Sequence, residues 1–314
     1  MRKIVVAVSA LLLFCMVIAC KSGSNEIRMA TGGSTGTYYA FGTAVGQILS
    51  EKTDIPISVQ STGASKANIQ LISTGEVELA IVQNDVMDYA WRGSDLFSGE
   101  KISSFSSMAA LYAEVSQIVV NPDSSISSVL DLKGKNVSVG DAGSGVEFNA
   151  RQILDAYGIT FDQITKHNLN FGASSDALRD SRIDAFFCVA GAPTPAIIDL
   201  AANQGIAILE IDNEHADRLI KKYPFYTKYS IPAGSYNGQK SLVQTVAVKA
   251  TFIVYSKLSE DTVYQLTKNL FESKTQIEAA HIKGRELSPA YAVEGISVPF
   301  HPGAAKYLKE IGAL

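Results

Sequence analysis

Ala30-Thr31-Gly32-Gly33-Ser34-Thr35-Gly36-Thr37-Tyr38 leaves the short apolar run Ile27 to Ala30 and enters a stretch where Tyr38, Phe41, Val45, Ile48 and Leu49 recur at helical spacing. Gly140-Asp141-Ala142-Gly143-Ser144-Gly145-Val146-Glu147-Phe148 echoes that arrangement. It follows Asn136 to Val139 and opens a helix whose face is marked by Val146, Ala150, Ile153, Leu154 and Tyr157, with Gly158 as its stop. Two strand-to-helix turns of this kind imply an α/β chain with one glycine-rich turn in each of two lobes. Ligands of open α/β sheets sit beyond the carboxyl ends of the strands, so two such turns facing across a cleft would form a binding site.

Short apolar runs predict further strands at Ile57 to Gln60, Leu79 to Val82, Gln117 to Val120, Asp184 to Val189, Ile206 to Ile211, Val243 to Val248 and Thr251 to Tyr255. Helical stretches lie at Thr37 to Glu51, Lys66 to Ser73, Pro195 to Asn203, His215 to Lys222, Glu260 to Glu272 and Gly303 to Glu310. This order assigns residues 26–113 with 230–314 to lobe I and residues 114–229 to an inserted lobe II. The two crossings between lobes would act as a hinge.

The chain has 314 residues, 46% hydrophobic and 18% charged, enough for a sizeable core. That composition excludes a disordered chain, a coiled coil and a multi-span membrane protein. Its formal charge of −4 makes nucleic-acid binding through phosphate neutralisation a poor fit. At the start, Arg2-Lys3 precedes an uncharged stretch ending Val17-Ile18-Ala19-Cys20, the pattern of a secretory signal over residues 1–19. A small residue before cysteine resembles a bacterial lipobox, which makes Cys20 the expected lipid attachment point and residues 20–25 a polar tether. The expected location is a membrane-anchored extracytoplasmic lipoprotein. Cys15 would leave with the signal, so Cys188 stands alone without a disulfide partner and reads as a buried small hydrophobe.

Each glycine-rich turn offers unpaired backbone amides at a helix start, a nest for carboxylate, phosphate or sulfate. The candidate binding residues there are Gly33, Ser34, Thr35, Gly36 and Tyr38 in the first turn and Ser144, Gly145, Val146 and Glu147 in the second. Ser144 with Glu147 also reads as an S-x-x-E capping box. Gln83, Asn84 and Asp85 end an apolar run, where their polar groups could read a ligand's ammonium or amide. Asn84 or Asp85 fits a helix cap equally well. Of Tyr38 and Tyr39, one faces the core and one the cleft. Tyr112-Ala113-Glu114 marks the first crossing, as hinge lining or plain strand, and Gly191 opens a third strand-to-helix turn.

Nucleotide phosphate motifs are absent, and no histidine or cysteine spacing indicates a metal, so no cofactor is expected. The four histidines read as surface or loop residues. Gly32-Gly33-Ser34-Thr35-Gly36 matches G-x-S-x-G, which keeps an exported serine esterase using Ser34 as an alternative. A surface lipoprotein without a transport role is a second alternative.

Thr31 to Tyr39, then Gln83-Asn84-Asp85, then Gly143-Ser144-Gly145-Val146-Glu147 and Gly191-Ala192-Pro193-Thr194, in this order, resemble the TAXI family of TRAP-transporter solute receptors. The resemblance implies a type II periplasmic-binding-protein fold that closes on a small carboxylate or amino acid, glutamate or glutamine being the commonest suggestion. It also implies delivery to an ion-gradient-driven membrane permease, without catalysis. Val146 stands where that family usually has threonine.

Overall fold

The computed structural model describes residues 26–314, which form ten strands in one mixed sheet with helices on both faces. The first unit runs β1 (Ile27–Ala30), α1 (Thr37–Thr53), β2 (Ile57–Gln60), α2 (Ser65–Thr74), β3 (Leu79–Gln83) and α3 (Asn84–Arg92). Beyond β4 (Phe105–Val120) the pattern recurs as β5 (Asn136–Ser138), α4 (Gly145–Ala156), β6 (Thr165–His167), α5 (Phe171–Arg179) and β7 (Ala185–Ala190). In each unit the first strand lies parallel between the other two. The remaining elements are α6 (Pro195–Asn203), β8 (Ala207–Leu209), α7 (Asn213–Lys222), β9 (Thr227–Ile231), β10 (Val243–Tyr255), α8 (Glu260–Glu272), α9 (Lys274–Ala280), α10 (Pro289–Val293) and α11 (Pro302–Glu310).

Two long antiparallel strands, β4 and β10, join the units in the order β2-β1-β3-β10-β4-β7-β5-β6. With 16 residues, β4 spans roughly 50 Å, long enough to serve both lobes. Its residues up to Val115 pair with β10, and from Val115 onward they pair with β7. Glu114 therefore lies one residue before the switch from one lobe's partner to the other's. Lobe I buries Phe41, Leu49, Ile81 and Leu111 on one sheet face and Ile69, Val82 and Phe105 on the other. In lobe II the neighbours Phe186 and Phe187 point to opposite faces, into separate clusters around Ile197 and Ile153.

Several sequence expectations are corrected here. Gln117 to Val120 is only the end of β4, and the two runs from Val243 to Tyr255 are one strand. His301 lies in a loop, as one of the two readings expected, but is buried there and caps α11, its Nδ1 accepting from the Gly303 amide. Cys188 is a buried free thiol, with burial pushing its pKa up. The expected signal, tether and Cys20 anchor lie outside the described residues. No helix among those residues is long and apolar enough to cross a membrane.

Candidate functional site

The carboxyl ends of β1, β2 and β3 in lobe I and of β5, β6 and β7 in lobe II converge on one cavity. Gly32, Gly33, Gly36 and Tyr38 line it from the first turn, Ser144, Gly145 and Val146 from the second. It encloses about 50 Å³, where a single water needs roughly 10–15 Å³. That is room for a ligand of few heavy atoms. Small apolar groups (Ala64, Val189, Ala190) and the ring of Phe171 complete much of the wall.

Local chemistry explains why the donors point inward. Gly36 precedes α1 without a side chain to cap it, so the first amides of α1 have no side-chain partner. At α4, Ser144 Oγ accepts from the Glu147 amide at 3.2 Å, which leaves the Gly145 and Val146 amides open. Both helix starts thus carry unspent donors and the positive end of a helix dipole.

The floor supplies acceptors. Glu114 is 1% exposed and lines the cavity, and Tyr38 Oη donates to its Oε2 at 2.7 Å. Burial pushes the Glu114 carboxyl up to about 8, against weaker opposing pulls from Tyr38, Gln83 and Lys283. Gln83 is 2% exposed. Its Nε2 donates to Asn149 Oδ1 at 2.8 Å, while its Oε1 is buried without a partner among the described residues. Asn149 Nδ2 in turn donates to Asp85 Oδ2 at 3.0 Å and to Tyr226 Oη at 2.6 Å. Tyr226 and Tyr89 both bond Gln152. This buried polar chain joins α3 to α4 and so ties lobe to lobe. Burial pushes Asp85 up to about 6.

Replacing Asn149 by leucine keeps the number and branching of its side-chain heavy atoms but strips partners from Gln83, Asp85 and Tyr226. A loss of about 2–4 kcal/mol of unfolding free energy is expected, read from urea denaturation. A loss under about 0.5 kcal/mol would mean that the network carries little of the lobe contact.

Of the sequence candidates, Gly33, Gly36, Tyr38, Gln83, Ser144, Gly145 and Val146 meet at the cavity. Tyr38 is the buried, cleft-facing member of the tyrosine pair, and Tyr39 is half-exposed. Six others lie outside the cavity wall. Ser34 and Thr35 are exposed. The Thr35 carbonyl accepts from the Ala196 amide across the lobes at 3.1 Å. Asn84 Oδ1 accepts from the Lys249 amide and Asp85 from Val86 and Asn149, so both are spent inside the protein. Glu147 serves the turn: its carboxylate accepts from the Gly143 amide and from Lys166 Nζ. Burial alone would raise its pKa, but those bonds hold it below the usual value. The Gly191 carbonyl accepts from Thr37 Oγ1 at 2.7 Å, another bond between lobes. Ser34 has no side-chain hydrogen bond to a histidine or carboxylate among the described residues, so the geometry offers it no base. Asp141, Ala64, Ser65, Asn170 and Phe171 are lining residues that were not among the sequence candidates, and Glu114, read in sequence as hinge lining or plain strand, lines the cavity. Glu114 was the detectable one, a lone carboxylate in the otherwise uncharged stretch from Phe105 to Val120.

No group of three or more metal-ligating side chains occurs among the described residues. The described residues thus form a two-lobed α/β fold with a cavity where the lobes meet. The model of the NMT1-like family matches residues 29–312, and the chain belongs to that family. Among solved structures, it is similar to a periplasmic transporter protein with TM-score 0.60 and 16% identity, over 92% of this chain and 93% of that one. It is similar to the periplasmic aliphatic sulphonate binding protein SsuA from Escherichia coli, with TM-score 0.51 and 15% identity over 90% and 82% of the chains. The substrate binding protein of an amino acid ABC transporter matches with TM-score 0.52 and 15% identity, over 83% and 100%. At these identities the likeness carries the fold, in its two-lobed type II form.

Proposed function

We propose that this protein is an extracytoplasmic solute receptor that captures a small amino acid or carboxylate by closing its two lobes and hands it to a TRAP-type secondary transporter. One observation carries the reading: helix starts from both lobes, with unspent amides, face one cavity between the lobes. The ligand bridges the lobes and stabilises the closed state through contacts that the open state lacks. The moving bodies are the two lobes, hinged where β4 and β10 pass between them. The assignment to the TAXI family, with glutamate or glutamine as the suggested cargo, rests on the glycine-rich turn that ends in Tyr38-Tyr39. Cys20 would hold the protein at the membrane beside its permease.

A thermal-shift screen of the purified chain, refolded to remove carried-over ligand, tests the reading. Amino acids, keto acids, dicarboxylates, sulfonates and acyl esters form the panel. One member at a thousandfold excess over its Kd is expected to stabilise the native state by about 4 kcal/mol, without being consumed. Ester hydrolysis abolished by Ser34→Ala, or no shift with any member, would overturn it.

A further inference from the structure

We infer that the cavity selects a zwitterionic α-amino acid with a small apolar side chain, its ammonium held by Glu114 and Gln83 Oε1 and its carboxylate by the first amides of α1 and α4. This rests on the receptor reading and narrows its ligand class, away from glutamate and dicarboxylates.

The orientation of Gln83 is fixed by its neighbours. Asp85 can only accept when ionised, so Asn149 must present its amide nitrogen there and its Oδ1 to Gln83. Gln83 answers with Nε2, and its Oε1 is left buried and unpaired beside Gly145. A buried acceptor without a donor is unfavourable, and an ammonium has three donors to offer. Glu114 is the second acceptor on the same wall. Its Oε2 takes the Tyr38 hydroxyl, and no hydrogen bond to the other oxygen occurs among the described residues at standard geometry.

The charge of the wall discriminates further. Among the described residues, Glu114 and Asp141 line the cavity, whereas no lysine, arginine or histidine does. A dicarboxylate would bring its second negative charge to acidic groups with no cation to meet it. A zwitterion meets complementary groups at both ends, with acceptors on the floor and helix-start amides at the turns. Its side chain would face Ala64, Val146, Phe171 and Val189, which offer nothing to a third charge. Val146 is a branched hydrocarbon at the very start of α4, consistent with an apolar ligand surface there.

Proton linkage gives a second readout. The groups around Glu114 are Tyr38 from α1, Gln83 and Asp85 at the β3–α3 junction, Tyr112 on its own strand, Cys188 on β7, Tyr291 on α10 and Lys283 between α9 and α10. Lys283 is the cation among these described residues and is paired with Glu286 at 2.6 Å. Glu114 is therefore protonated in the ligand-free protein near neutral pH and must ionise to hold an ammonium. Affinity should rise by more than tenfold between pH 6.5 and 8.5.

Calorimetric titration of the refolded full chain tests this with L-valine, L-alanine, the keto acid of valine, isobutylamine, L-glutamate and succinate, at both pH values. Valine or alanine is expected to bind, and loss of either charged group to weaken binding by at least about a hundredfold. Glu114→Gln retains an acceptor for Tyr38, and should weaken the amino acid at least about tenfold at pH 8.5 and flatten its pH dependence. Tighter binding of succinate or the keto acid than of the amino acids, with affinity falling as pH rises, would overturn the inference and leave the receptor standing. Failure of the whole panel of the thermal-shift screen would remove the receptor reading itself and this inference with it.

Discussion

Replacing Gly145 by valine is expected to leave both lobes folded and to weaken ligand capture by about a hundredfold or more. A Cβ built on Gly145 falls 1.6 Å from Gln83 Oε1, 2.7 Å from its Cδ and 3.1 Å from Val86 Cγ2. All three atoms belong to the opposite lobe. Gln83 cannot swing aside freely, because its Nε2 is tied to Asn149 within the buried network. Within its own lobe the substitution meets little resistance: Gly145 is the first residue of α4, capped by Ser144, and the helix tolerates a side chain there. The clash thus acts on closure rather than on folding. With saturating ligand, small-angle scattering should show the wild type contracting and the variant remaining expanded, while the two unliganded proteins keep the same far-UV circular dichroism. Wild-type affinity in the variant would mean that this lobe contact is not part of the bound state.

Much of this geometry was legible in the sequence where period and punctuation agreed. Ile27–Ala30, Ile57–Gln60, Pro195–Asn203 and Glu260–Glu272 have the expected ends, each a short strand with apolar residues at alternate positions or a helix stripe opened by a proline or a capping serine. Legibility failed where polar residues are buried for a tertiary reason. Ser107, Glu114 and Ser116 interrupt the apolar pattern of β4, yet all are buried, with Ser107 bonded to Val298 and Glu114 to Tyr38. Lys249 split β10 into two apparent strands, although its stem lies in the sheet and its ammonium sits 4.0 Å from the Tyr291 ring and pairs with Glu294. The helix α3 showed in sequence only as the stretch following a candidate cap at Asn84 or Asp85, because its polar residues Asn84, Asp85 and Asp88 are themselves buried.

The candidate site followed the same division. Glycine-rich turns before helices are local signals, and both turns reach the cavity. Which side chains of the turns face ligand is set across the lobes. Ser34 and Thr35 look like donors in sequence, but the chain turns them to solvent. Glu147 is recruited by Lys166 from β6, a partner 19 residues away. Glu114 reaches the cavity because β4 changes partner beside it, a property of the sheet that no local window contains.

That position has a stability consequence: in the ligand-free protein, Glu114→Gln should raise stability, by more as pH rises. Glu114 is pushed up to about 8, from an ordinary value of 4.5, chiefly by burial. A carboxyl whose folded pKa is raised contributes stability that is fully present below pH 4.5 and lost as pH climbs through 8. The native wild type must either hold a proton from a basic solution or bury a charge, at a cost of about 3–5 kcal/mol above pH 8. Glutamine never ionises, keeps an acceptor for Tyr38, and avoids that cost. Asp85 titrates lower, up to about 6, and is common to both proteins, so it cancels in the comparison. The variant should therefore melt close to the wild type at pH 5 and roughly 5–15 °C above it at pH 9. A difference that stays constant from pH 5 to pH 9 would mean that Glu114 is ionised throughout. An ammonium ligand reverses the ordering at pH 9, because it pairs with the carboxylate in the wild type and finds only an amide in the variant. The residue that weakens the empty receptor is then the one that strengthens the loaded one, and the free energy stored at Glu114 biases the protein towards closing on cargo.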